Sequence, residues 1–168
     1  MKRFTAAMLT TALIALVMLA FATAGWAQMD ATKPMIEAYA QVWNSGNLSA
    51  LDALVDPGFV RHTSPGNPYS ATNLDSLKRV ITNLRATYPD FKVTLTEIIT
   101  TSDKVVARWQ WTGTHSGVGL PAAKGKKVQT TGINIMHVKN GKLAEEWVES
   151  DGMVTVQQLG FTVTPPAK

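Results

Sequence analysis

The chain has 168 residues, a formal net charge of +4 and no cysteine. Lys2 and Arg3 account for half of that charge, so the rest of the chain is too weakly basic to argue for nucleic acid or an anionic membrane as a partner. Without cysteine, thiol catalysis, cysteine-ligated metal and disulfide bracing are excluded.

The chain opens MKRFTAAMLTTALIALVMLAFATAGWAQ: two cations, an apolar run from Ala6 to Ala24, then the small residues Gly25 and Ala27 where a signal peptidase reads. Residues 1–27 read as a secretory leader, cleaved after Ala27 and directing export to the periplasm or beyond. The run is nearly long enough to span a bilayer, but no stop-transfer pattern follows it, so no stable membrane insertion is expected after cleavage. The remaining chain, about 140 residues, suits one domain with a real core. That domain is read at 28–161, with a flexible tail at 162–168 that contains Pro165-Pro166.

Met35, Ile36, Tyr39, Val42 and Trp43 recur at three- and four-residue spacing and predict a helix over 31–44, stopped by Ser45-Gly46. Ser49 and Asp52 form a capping-box-like pair for a short second helix, which Pro57-Gly58 ends. Phe59 to His62 is extended, and the Pro-, Gly- and Asn-rich stretch Thr63 to Ser70 is a loop. A third helix runs over 73–87 with Thr72 as its cap and Leu74, Leu77, Ile81, Leu84 and Tyr88 along one side. Phe91 to Thr101 and Lys104 to His115 alternate with a period of two, which predicts strands. A loop from Ser116 to Lys127 leads into a hairpin over 128–150, turned at Asn140-Gly141, and Gly152 to Leu159 predicts a terminal helix. Three helices followed by long antiparallel strands predict an α+β fold: a curved antiparallel sheet whose helices enclose an apolar pocket.

The stretch from Thr131 to Asp151, TGINIMHVKNGKLAEEWVESD, places Glu145, Glu146, Glu149 and Asp151 beside Trp147 on apolar strands. Simple alternation puts Glu146 on one face and Glu145, Trp147 and Glu149 on the other. With Trp147 as a pocket residue, the second set faces the pocket. Asp151 has two readings. It is a general base whose pKa burial beside Trp147 would raise, or the N-cap of the helix starting at Gly152. His62, between a short strand and a Pro-Gly loop, is a candidate proton-transfer partner at the pocket rim, or else a structural histidine. Asn134 shares a face with Met136 and Val138, so its amide needs partners, either a carboxylate or a ligand carbonyl. Tyr39, Trp43, Trp109 and Trp111 supply aromatic surface for a hydrophobic ligand, or plain core. Arg61 and Arg108 have two readings, holders of an anionic substrate group or members of surface salt bridges, and the second is preferred. The three histidines show no metal-ligand spacing, so no metal is expected.

Several segments, taken together in order, resemble the SnoaL-like polyketide cyclases, or ester cyclases, of the nuclear-transport-factor-2-like superfamily. They are YAQVWNSGN at 39–47, LDALVDPGFVRH at 51–62, KVVARWQWTGTH at 104–115, the Gly-Pro loop to Lys126, and Thr131 to Trp147. The resemblance implies a cone-shaped α+β barrel with a deep pocket, no cofactor and a homodimer or larger oligomer. It also implies that a pocket acid moves a proton during ring closure, and it puts Asp151 at that acidic position. Two positions depart from the pattern: Glu146 stands where many relatives have His, and Asn134 where many have Asp. Asp151, His62 and Asn134 are therefore the expected catalytic residues, and Tyr39, Trp43, Trp109, Trp111, Glu146 and Trp147 the expected substrate-binding ones. The pocket would serve cofactor-free ring closure or isomerisation of a hydrophobic carbonyl compound, or hold a hydrophobic small molecule without turning it over.

Overall fold

The computed structural model describes residues 32–162 and residue 164. The leader read at 1–27 and most of the tail lie outside the described residues.

Helix α1 (32–45) presents Ile36, Tyr39, Val42 and Trp43 as its buried face, the spacing its sequence carries. A 3-10 turn, Leu48–Ala50, runs into α2 (Leu51–Leu54) and then into β1 (Val55–Thr63). Ser49 does not cap α2; its hydroxyl donates to Asn47 Oδ1 at 2.8 Å. Pro57-Gly58 does not follow the helix at a distance but lies inside β1, where the ladder slips between Val55 and Val60. A proline without an N–H is tolerated there because β1 is an edge strand and bulged.

Helix α3 (Leu74–Thr87) is capped by Asn73 rather than Thr72. The Asn73 side chain accepts from the Ser76 amide at 2.8 Å, and Ser76 Oγ accepts in return from the Asn73 amide at 3.0 Å. Strands β2 (Lys92–Thr100), β3 (Lys104–Thr114), β4 (Lys127–Lys139) and β5 (Lys142–Ser150) follow, then α4 (Gly152–Gln158). The β4–β5 hairpin turns on Asn140 and Gly141, both at positive φ (52° and 73°), as a two-residue loop requires.

The strands lie in the order β1-β5-β4-β3-β2. Pairs β2–β3, β3–β4 and β4–β5 are antiparallel, while β1 joins β5 in parallel. The sheet is thus mixed, because β1, which lies between α1 and α3 in the chain, pairs with β5 at the edge far from β2. Val105 and Ala107 of β3, Met136 and Val138 of β4 and Leu143 of β5 form the inner face. The apolar sides of α1 and α3 pack against it as one core. Bulges at Leu95/Glu97 and at His137/Val138 bend the sheet over that core. Among the described residues no helix is long and apolar enough to cross a membrane.

Candidate functional site

Between α1, α3 and the inner face of the sheet the core is hollow. A cavity of about 680 Å³ remains, its mouth framed by the loop at 63–69 on one side and Met153, Val156 and Leu159 on the other. Trp43, Phe91, Trp109 and Trp111 give it aromatic walls.

At its floor sits Glu146, fully buried. Glu146 Oε2 accepts from Arg61 Nε at 2.8 Å and from the Tyr39 hydroxyl at 3.1 Å. Glu146 Oε1 accepts from Asn134 Nδ2. A carboxylate offers about four acceptor sites. Three are taken, and the fourth, on Oε1, has no donor among the described residues.

The chemistry of Trp109 fixes how Asn134 is turned. Its indole Nε1–H can only donate, and it lies 2.7 Å from Asn134 Oδ1. The amide oxygen therefore faces Trp109, and the amide nitrogen must face Glu146. Gly132 makes this chain of contacts possible. It pairs with Trp109 across the β3–β4 ladder, and a Cβ at 132 would run into the indole ring and lie 2.5 Å from the Glu149 carbonyl oxygen.

Arg61 compensates the buried charge and ties the floor to the mouth. Its guanidinium lies 5.0 Å from the centroid of the Trp43 ring, and its Nη1 donates to the Tyr69 carbonyl at 2.6 Å. Two backbone bonds, Arg61 N to Ala71 O at 2.7 Å and Ala71 N to Arg61 O at 3.1 Å, close the base of the same loop. Arg61 Nη2 makes no hydrogen bond among the described residues, and no buried side-chain nitrogen or oxygen there lacks a partner. Nη2 is therefore not sealed off, and Arg61 lines the cavity. Burial pushes the Tyr39 hydroxyl well above the usual tyrosine range, and the Glu146 charge pushes it the same way, so Tyr39 keeps its proton and donates.

Of the residues expected at the site, Tyr39, Trp43, Trp109, Trp111, Asn134 and Glu146 line the cavity; His62, Trp147 and Asp151 do not. Trp147 is turned outward by one extra residue in β5. Counting back from the Asn140-Gly141 turn would set Glu145 opposite Met136. Instead the bulge sets His137 against Glu145 and Met136 against Glu146. Since Met136 points inward, so does Glu146, and Glu145 and Trp147 take the outer face. His62 neighbours inward-facing Arg61 and so also points outward. There it stacks on Trp147 at 4.9 Å and reaches Glu145 Oε1 with Nε2 at 2.8 Å. Asp151 is exposed and takes its second reading, the N-cap: its Oδ1 accepts from Val154 N at 3.0 Å. Arg61, read as a surface residue, is buried at 9% exposure. Its alternation with buried Phe59 carried that signal. Among the described residues no three His, Cys, Asp or Glu side chains converge to hold a metal ion.

Two covering helices, a bent five-stranded sheet and a hollow with an acid at its floor define an α+β pocket protein of the nuclear-transport-factor-2-like kind. Residues 33–159 match the family model of the SnoaL-like polyketide cyclases, and the chain belongs to that family. Among solved structures, TsrD from Streptomyces laurentii is 26% identical, with a TM-score of 0.69 over 78% of this chain and 96% of its own. A proposed polyketide cyclase from Bacillus cereus is 29% identical, with a TM-score of 0.64 over 75% of this chain and 78% of its own. IdmH from Streptomyces antibioticus, described as a proposed polyketide cyclase, is 28% identical, with a TM-score of 0.64 over 77% and 98%. No curated protein matches the chain.

Proposed function

We propose that the protein is an exported, cofactor-free acid/base enzyme that carries out ring closure or isomerisation on a hydrophobic carbonyl compound, with Glu146 as its base. The observation that carries this reading is the single unfilled acceptor site on a buried, triply bonded carboxylate that faces an aromatic-walled cavity. A C–H next to a carbonyl delivers its proton to Glu146 Oε1, and the electron pair moves onto the carbonyl oxygen. Arg61 Nη2, with no acceptor among the described residues, is the donor for that oxygen. Asn134 and Tyr39 act as positioning residues that hold the carboxylate in one orientation. Asp151 and His62, expected as base and partner, take no part in this scheme because neither reaches the cavity.

The departures at 134 and 146 support the same reading. Two carboxylates in the contact that Asn134 and Glu146 make would repel. Asn at 134 is the polar residue compatible with Glu at 146.

Export rests on the leader read at 1–27. A homodimer through the outer sheet face is supported by Ile99 of β2 and Ile133 and Ile135 of β4, which stay 43–56% exposed on either side of β3.

The test is proton abstraction itself. Incubated with 2-tetralone in D2O, the protein should accelerate exchange of the α-hydrogens, followed by proton NMR. Glu146→Gln should abolish the acceleration with the fold retained, and Asp151→Asn should keep it. Exchange that survives Glu146→Gln would remove the base; a wild type that binds the ketone without exchanging it would leave a binding protein.

A further inference from the structure

Two polar side chains on the cavity wall are not used by the proton transfer. Tyr88 follows α3 and is 4% exposed. Its ring is fixed from three sides: Trp111 at 5.1 Å, His115 at 5.3 Å, and Gly113, where a Cβ would lie 3.0 Å from Tyr88 Cβ. Tyr69 sits on the mouth loop, where its amide takes Asn67 Oδ1 at 3.0 Å and its carbonyl holds Arg61. Both tyrosines line the cavity.

Neither phenol hydroxyl has a hydrogen-bond partner among the described residues, although Tyr39, the third tyrosine, gives its hydroxyl to Glu146. Since no buried side-chain oxygen is left unpartnered, both hydroxyls touch open space. A phenol that only filled the core would leave its oxygen unsatisfied or be replaced without loss by Phe.

We infer that Tyr69 and Tyr88 form a ligand-oxygen subsite: two uncharged donors on the cavity wall that hold a neutral acceptor oxygen of a flat polycyclic ligand. Burial pushes the Tyr88 phenol up to about 12, and the nearby Tyr69 adds to the effect, so at neutral pH it is protonated and donates. Two phenols suit a ketone, ester or ring hydroxyl better than a carboxylate, because the one cation nearby, Arg61, is already neutralised by Glu146. The ligand would then lay its ring system against the tryptophans. This deepens the proposed function by naming a second oxygen that its substrate carries, and rests on that reading only for the position of the reacting carbon.

The test compares two probes of one shape, 2-acetylanthracene and 2-ethylanthracene, titrated by quenching of tryptophan fluorescence. The wild type should bind the acetyl compound roughly tenfold more tightly. Tyr88→Phe and Tyr69→Phe should each remove most of that preference and leave the ethyl compound's affinity unchanged. Thermal unfolding should be unaltered, since neither lost oxygen bonds to the protein. Equal affinity of the two probes for the wild type, or a preference that survives both substitutions together, would overturn the subsite. Glu146→Gln should keep the preference, so failure of the base and failure of the phenol pair give different results.

Discussion

Glu145 and Glu146 are neighbours on β5, and each gathers a nitrogen-bearing side chain and an aromatic ring, but on opposite faces of the sheet. Glu146 takes Arg61, Tyr39 and Asn134 inside, with 0% of its surface exposed. Glu145 takes His62 at 2.8 Å and His137 at 3.5 Å outside, where all three side chains are 35–42% exposed and Trp147 packs against both imidazoles. The residue types are similar; the solvent is not. Inside, each donor answers a desolvated charge and cannot be removed alone. Outside, water replaces whatever a substitution takes away.

The largest expected effect comes from breaking the inner cluster on one side. Arg61→Ala strands a buried carboxylate without its counter-charge, and should cost about 3–5 kcal/mol in urea unfolding. Arg61→Met combined with Glu146→Leu should recover most of that stability and no proton transfer. If the single variant were as stable as the wild type, the inner pair would not be desolvated as described.

Next is Gly132→Ala. The added methyl meets the Trp109 ring and the Glu149 backbone, and backbone cannot yield. Overpacking of this kind costs about 1–3 kcal/mol. Because the ring must move, the Trp109–Asn134 bond should break with it, and exchange activity should fall further than stability does. Wild-type activity in a folded Gly132→Ala protein would show that Asn134 needs no anchor.

The difference between the two clusters also marks where the sequence is legible. Period-two and helical spacings in Ala107, Trp109 and Trp111, and in Ile36, Tyr39 and Trp43, gave the strands, the helix and the aromatic walls, because those patterns survive any small shift. Asn134 was legible in the same way, from its register with Met136 and Val138. Which glutamate enters the cavity was not. It depends on one unpaired residue near Ala144, between Leu143 opposite Val138 and Glu145 opposite His137. No Gly or Pro marks that bulge. A one-residue slip exchanges the faces of everything beyond it. Trp147 looked like a pocket residue on size, yet the bulge carried it outward with Glu145. The open hydroxyls of Tyr69 and Tyr88 were invisible for another reason: a missing partner is a property of three-dimensional neighbours, not of spacing.

Glu145→Gln probes the outer cluster and should cost less than about 1 kcal/mol. A loss as large as that of Arg61→Ala would mean that the outer cluster is covered in solution. The same measurement repeated above and below the dissociation range of a dimer would then locate the cover, since Ile133 and Ile135 flank the cluster.

The smallest effect lies outside both clusters, at Asp90. This exposed carboxylate follows α3 and pins the end of β3, accepting from Thr114 N at 2.6 Å and Thr114 Oγ1 at 2.7 Å. The Thr114 backbone bond, then its hydroxyl, hold the Asp90 pKa below the ordinary aspartate value. A depressed folded-state pKa means that the native protein favours the anion, so the contribution is complete above the unfolded pKa near about 4 and is lost as pH falls through the lower folded value. Asp90→Asn should therefore lower stability by less than about 1 kcal/mol at pH 7. The gap between variant and wild type should narrow steadily once the pH drops below about 4. A gap of equal size at pH 7 and at strongly acidic pH would mean that the carboxylate's charge is irrelevant and only the shape of its acceptor matters, which is the behaviour expected of neither cluster on β5.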